Sequence, residues 1–266
     1  MKLRDDYCRN FEQTMDLRRI DLAQVASTVL INNFHKEGKD RCCIIQFNDT
    51  CSLVQGFTTS KQLLHDKIHT IVPNGRTRFY DSVCDAVDHF VAHGDASKPW
   101  IIIVVTDGED TSSIAHTPKT CGEYVWKRYN CRKSNYIFTV GVGSEVNSNA
   151  LNEVAHYGGF KHIHISSFEL LQLTFARIML RVLTEMNITV VIDGQDELAL
   201  LQQTQSIRAV DIDYAFLIDN SMSMSTVVGR IQPVQRPVQV QQVMHIQRPN
   251  IEREPVPDCC FCCRIT

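Results

Sequence analysis

WIIIVVTDGEDTSS, residues 100–113, is the stretch on which the reading of this chain turns. No residue from Trp100 to Thr106 is charged, and the polar loop Asp107–Ser113 follows at once. A strand with apolar side chains on both pleat faces belongs in a parallel sheet covered by helices on each side. In such sheets the loops at the carboxyl ends of the strands form the ligand crevice. The chemistry is therefore expected at Asp107 and at whatever other loops reach the same end.

Upstream, Phe79, Val83, Val87, Phe90 and Val91 recur at helical spacing, and the loop PNGRTR (73–78) precedes them. Leu63, Leu64, Ile68 and Ile71 predict a shorter helix that stops at Pro73. RCCIIQF (41–47) reads as a doubly buried strand, and Leu53–Phe57 as its hairpin partner. Leu17 to Phe34 is a helix ended by Gly38. Downstream, a helix over about 119–133 leads to a strand over Tyr136–Val142. A helix over Asn149–Tyr157, a strand over His162–Ile165 and a long amphipathic helix over Phe168–Met186 complete the alternation. Strands alternating with helices predict an α/β fold: a doubly wound, mostly parallel sheet with helices on both faces. Beyond it, Ile188–Ile192 reads as a strand, Glu197–Gln205 as a helix, and YAFLI (214–218) as a further buried strand ending in DNSMSMS. From Val227 the chain turns rich in Pro, Gln and Val (QPVQRPVQVQQ, 232–242) and is expected to be a mobile tail. The expected organisation is one domain over 1–225, with a core at 16–186, a connection at 187–212, a final strand and loop at 213–225, and a tail at 226–266.

The chain has 266 residues, 44% of them hydrophobic and 21% charged, which suits one globular domain with a tail. A net charge of -3 offers no bulk attraction for nucleic acid or an anionic membrane. No apolar run approaches the roughly 20 residues that span a bilayer, and the first residues, MKLRDDYCRNFEQ, lack a signal-peptide core. Of 11 cysteines, those scattered before residue 132 read as reduced, mostly buried thiols, which makes a cytoplasmic location the expectation. The remaining cysteines, Cys259, Cys260, Cys262 and Cys263, crowd the terminus. Cys263 stands fourth from the end with Ile265 next to last, a loose fit to a prenylation box. Its neighbours could carry acyl chains, so membrane association is expected only if the tail is lipidated.

Three polar segments fall at strand ends or just before helices: Asp219, Ser221 and Ser223 in Asp-x-Ser-x-Ser spacing, Thr77 in NGRTRFYDSV, and Asp107 in VVTDGED. Two carboxylates and three hydroxyls are hard oxygen donors, a set suited to Mg²⁺, with Mn²⁺ or Ca²⁺ as alternative occupants. Arg76 and Arg78 flank Thr77 and are candidates to pair with an acidic ligand beside the metal. Asp107 and Thr77 could instead be helix caps. His162 and His164 share a strand face but lack the further ligands that zinc needs. No G-x-S-x-G elbow or G-x-x-x-x-G-K-[ST] loop is present, and Asp211 and Asp213 precede their strand rather than end it, so catalysis is not expected.

Together GRTRFYDSV, WIIIVVTDGED, NYIFTVGVG and IDNSMSMS resemble the von Willebrand factor A family and its metal-ion-dependent adhesion site. The resemblance spans about residues 16–225. It implies a Rossmann-like domain that binds a protein ligand by letting an Asp or Glu side chain complete the metal shell. The order departs from the family, in which the Asp-x-Ser-x-Ser strand comes first. Either the domain is circularly permuted, with the last strand filling a slot between Cys42–Phe47 and Trp100–Thr106, or 214–223 opens a truncated tandem copy. An empty slot would leave two apolar strand edges unpaired, which favours permutation. Strand exchange between two chains would give a dimer. A scaffold copy of the domain that binds no metal is the alternative function. Permutation also implies that the tail leaves from the metal face, carrying Glu252, Glu254 and Asp258 as internal carboxylates.

Overall fold

The computed structural model describes residues 15–130, 135–186 and 210–231, together with residues 199, 202, 205 and 208. Its frame is a six-stranded sheet in the order β3-β2-β7-β4-β5-β6, built from β2 (Arg41–Phe47), β3 (Cys51–Thr58), β4 (Trp100–Thr106), β5 (Asn135–Val142), β6 (Lys161–Ile165) and β7 (Asp213–Asp219). Only the β2–β3 pair is antiparallel; β2–β7, β7–β4, β4–β5 and β5–β6 run parallel. Every residue of β4 and of β7 is buried. This is why both read as unbroken apolar runs without alternation.

The helices that the described residues form over the sheet are α1 (Arg19–Phe34), α2 (Lys61–Ile68), α3 (Phe79–His93), α4 (Pro118–Val125), α5 (Ser148–Gly158) and α6 (Leu171–Glu185). Successive strand residues point to opposite faces. Ile101, Ile103, Tyr214 and Phe216 therefore pack with α1, α2 and α6. Ile102, Val104, Ala215 and Leu217 pack with α3, α4 and α5. The helix expected to reach residue 133 is α-helical only to Val125 and continues as a wider π turn over Trp126–Asn130. That turn carries Tyr129 into the core, 5.8 Å from the Phe90 ring and 5.9 Å from the Trp100 ring.

β7 is held at its start by buried polar contacts. Arg41 Nε donates to Asp213 Oδ1 at 2.9 Å and the Asp95 amide to Asp213 Oδ2 at 2.7 Å. The Ile212 amide donates to Asp40 Oδ1 at 3.0 Å, and the Tyr214 hydroxyl meets His35 Nδ1 at 3.1 Å. Asp213 is therefore a fastening at the amino end of the sheet. Burial pushes the Cys42 and Cys43 thiols well above their ordinary range, and none of the five described cysteines forms a disulfide. Among the described residues no helix is long and apolar enough to cross a membrane.

Two expectations are corrected. The stretch read as the start of a tail forms strand β8 (Val227–Ile231), antiparallel to β1 (Met15–Arg18), and Leu17 belongs to β1 rather than to the first helix. Two short strands from opposite ends of the chain satisfy each other's backbone groups, a pairing that local composition does not announce. The strand expected over Ile188–Ile192, and the tail beyond Ile231 with its acids and cysteines, lie outside the described residues; of the helix expected over Glu197–Gln205 only Ala199, Gln202 and Gln205 are described, and all three are helical.

α4 and α5 cross at Gly122. A Cβ there would lie 2.6 Å from Tyr157 Cβ, 2.7 Å from the Val154 carbonyl oxygen and 2.9 Å from the Gly158 nitrogen. Two of those atoms are backbone and cannot rotate away. Helix propensity alone would make Gly122→Ala stabilising by about 1 kcal/mol. Overpacking of this kind costs about 1–3 kcal/mol, so the net effect is expected to be destabilising. A lowered midpoint in urea unfolding checks the sign.

Candidate metal centre

The site is assembled at the carboxyl ends of β7 and β4, which are adjacent and in register from Trp100↔Asp213 to Val105↔Ile218. Asp219 closes β7 and Asp107 follows β4, and both carboxylates are buried. Thr106 Oγ1 donates to Asp219 Oδ2 at 2.6 Å, and the Ser221 amide donates to Asp219 Oδ1 at 2.8 Å. The chain then makes a 3-10 turn over Met222–Ser225. This turn sets Ser221 Oγ 2.8 Å from Ser223 Oγ, and Ser223 Oγ donates to Asp107 Oδ1 at 2.6 Å.

Thr77 comes from the loop before α3. Its carbonyl accepts from the Thr111 and Ser112 amides at 2.8 and 3.0 Å, and its own amide donates to Thr111 Oγ1 at 3.1 Å. The Thr77 hydroxyl is thereby turned onto the same loop as Asp107. A Cβ at Gly108 would lie 3.5 Å from Thr77 Oγ1 and 3.6 Å from Ser223 Oγ. All five expected donors, Asp219, Ser221, Ser223, Thr77 and Asp107, therefore come together. Neither Thr77 nor Asp107 is a helix cap: the residue capping α3 is Arg78, and no helix begins at Gly108.

Burial, with the Asp107 carboxylate beside it, pushes Asp219 up to about 7 despite its hydrogen bonds from Thr106 and Ser221. Of these two neighbouring buried carboxylates Asp107 has a cationic partner, Arg19, while Asp219 is held by a hydroxyl and an amide, which compensate a buried charge poorly. A hard divalent cation suits that charge and that donor set. Among the described residues no cluster of three or more His, Cys, Asp or Glu side chains gathers for a metal. The five donors gathered here are all oxygens, unlike the thiolate and imidazole ligands of a zinc site.

The expected role of Arg76 and Arg78 is not what the geometry supplies. Arg76 Nε donates to Asp49 Oδ1 at 2.9 Å, while Arg78 reaches Asp81 at 3.0 Å and Asp85 at 3.3 Å. Each meets a carboxylate of its own chain, which carries none of the association cost of an external one. The cation at the centre is Arg19, which sequence reasoning missed. Its Nη1 donates to Asp107 Oδ2 at 2.8 Å and to Glu145 Oε2 at 2.9 Å. No local pattern links Arg19 to Asp107, which lies 88 residues along the chain. His162 and His164 bond to Thr139 and Ser148 at 3.0 and 3.3 Å, a structural use.

The loop beyond Asp107 is rigidly fastened. Asp81 accepts from the Ile114, Ala115 and His116 amides at 2.9, 3.2 and 2.8 Å. Asp110 accepts from the Phe79 amide at 2.7 Å and the Ser113 hydroxyl at 2.6 Å. Ile114 emerges from this clamped backbone 91% exposed. Met222 is also exposed, and its amide donates to the Gly75 carbonyl at 3.0 Å, on the other side of the Thr77 loop.

A family model described as the von Willebrand factor type A domain matches residues 13–176, a span that includes Thr77 and Asp107 and stops before Asp219. Among curated proteins none matches the sequence. Similar solved structures include a von Willebrand factor type A protein from Catenulispora acidiphila, with 14% identity, TM-score 0.50, and 61% of this chain and 38% of that one covered. Another is proximal thread matrix protein 1 from the mussel byssus with a zinc-occupied MIDAS motif, with 14% identity, TM-score 0.50, and 62% and 42% covered. At these identities the likeness is one of fold. The chain spans about two fifths of the length of these two structures.

Proposed function

Because this chain belongs to the von Willebrand factor type A domain family, we propose that it is a metal-ion-dependent protein-binding module rather than an enzyme. The observation that carries the proposal is the convergence of Asp219, Ser221, Ser223, Thr77 and Asp107 at the carboxyl ends of two adjacent parallel strands. The two carboxylates would hold a divalent ion, Mg²⁺ being the best match to the donors, and the three hydroxyls would join them directly or through water. The bound ion would supply a Lewis-acidic position for an Asp or Glu side chain of a protein partner. Met222, between Ser221 and Ser223, and Ile114, on the loop that follows Asp107, are exposed and would favour a partner with an apolar residue near its acid. Ile114 is well suited to the contact, since a clamped loop loses little freedom on binding.

On this reading the Asp-x-Ser-x-Ser strand serves its own chain, and the domain is a permuted member of its family. The byssus protein's zinc-occupied motif belongs to that protein and sets no metal preference here. A second reading, a scaffold copy that binds no metal, draws support from Arg19, which already neutralises Asp107.

Thermal unfolding separates the two. An ion at 100 times its dissociation constant stabilises by about 2.7 kcal/mol, which for a domain of this size raises Tm by about 5–10 °C. Saturating Mg²⁺ is expected to produce that shift in the natural sequence and none in Asp107→Ala. No shift in either protein would favour the scaffold copy.

A further inference from the structure

The contacts of Arg19 go beyond charge balance. Both oxygens of the buried Asp107 carboxylate are engaged, Oδ1 by the Ser223 hydroxyl and Oδ2 by the Arg19 guanidinium at 2.8 Å. Arg19 is the first residue of α1, and its own amide donates to the carbonyl of Thr226, three residues past Ser223, at 3.0 Å. The β1–β8 ribbon ends at the same place, pairing Arg18 with Val227. The backbone of Arg19 is thereby fastened to the loop that bears Ser221 and Ser223. The same Nη1 atom also contacts Glu145 Oε2 at 2.9 Å, and that carboxylate is largely exposed. The guanidinium has two berths, one inside the candidate metal centre and one at its rim.

We propose that Arg19 is a built-in competitor for the metal: it holds Asp107 when no ion is bound, and a divalent ion must displace it toward Glu145 to enter. The inference rests on the metal-binding reading above and concerns the regulation of that same site. A guanidinium and a divalent cation cannot share one carboxylate oxygen without strong repulsion, because charges at contact distance inside a protein are weakly screened. Glu145 lowers the cost of the exchange, since Arg19 leaves Asp107 without losing an acidic partner. Held by the exposed Glu145, the displaced guanidinium would remain near the centre as a positive charge available to an acidic partner. Arg19 thus weakens affinity for the metal alone and favours the metal together with an acidic partner. It is a positioning residue, set by charge rather than by contact with the ion.

The test measures Mg²⁺ dissociation constants by titration calorimetry and Mn²⁺ constants by electron paramagnetic resonance, on the full chain, with no partner present. Arg19→Gln is expected to bind both ions about tenfold more tightly than the natural sequence, the worth of one charge-assisted hydrogen bond. Arg19→Lys keeps the charge and is expected to stay within about threefold of the natural sequence. Melting adds a second readout. Without metal Arg19→Gln should melt below the natural sequence, because Asp107 has lost its counter-ion, and its Mg²⁺-induced shift should be the larger of the two. Should Arg19→Gln not fold without metal, refolding it with Mg²⁺ present would itself support the competition. Equal constants for Arg19→Gln and the natural sequence would overturn this inference and leave the metal reading intact. Metal binding by neither would overturn both.

Discussion

A chain ended after Val210 should show no cooperative unfolding transition. The cut removes β7, which hydrogen-bonds to β2 on one side and β4 on the other. Tyr214, Phe216, Leu217 and Ile218 are all fully buried, and they feed both hydrophobic layers of the domain. Losing one large core side chain costs about 2–5 kcal/mol. Losing four, at about 8–20 kcal/mol together, is enough to consume the roughly 5–15 kcal/mol that separates a folded domain from its unfolded chain. The gap would also bare two apolar strand edges able to pair with other chains. Far-ultraviolet dichroism in urea is the measurement, with the natural sequence as reference. Addition of a peptide covering residues 211–231 should restore a transition. A shortened chain that melts like the full one would mean that the Asp-x-Ser-x-Ser strand serves another domain. Concentration-dependent dimers of the full chain would point to exchange of β7 between copies.

Asp81→Ala should cost about 3–5 kcal/mol, a large loss for a residue that touches no metal ligand. Its side chain is 2% exposed and accepts three backbone amides and the Arg78 guanidinium. Alanine would orphan those amides, at about 1–3 kcal/mol for each donor that water cannot reach. Burial raises the Asp81 carboxyl, but the amides of Ile114, Ala115 and His116, with Arg78, more than offset it and hold the group below its ordinary value. The sign follows from linkage. A carboxylate whose folded value is depressed contributes stability above its unfolded value, near pH 4, and loses it as pH falls through the folded value. Stability of the natural sequence should therefore drop below about pH 4, and the drop should be shallower in Asp81→Ala. Urea unfolding at neutral and acid pH checks both the size and the slope. Asp81→Asn, which keeps one acceptor oxygen, should recover part of the neutral-pH loss.

Much of this molecule is legible residue by residue. WIIIVVT and YAFLI carry apolar side chains on consecutive positions, and only a strand covered on both faces tolerates that. The helices announce themselves by spacing, as Phe79, Val83, Val87 and Phe90 do in α3. Carboxylates and hydroxyls after such strands, or just before a helix as Thr77 is, made Asp107, Asp219, Ser221, Ser223 and Thr77 candidates without coordinates. These signals are local, because burial periodicity and turn chemistry act over a few neighbouring residues. The tertiary structure alone decided which distant pieces meet. It set β7 in the slot between β2 and β4, and paired β8 with β1 where composition had read a tail. It turned Arg76 and Arg78 onto Asp49, Asp81 and Asp85, and brought Arg19 to Asp107. An ion pair depends on distance in space, and a charged residue carries nothing in its neighbours' identity that says which opposite charge the folded chain will bring within 3 Å.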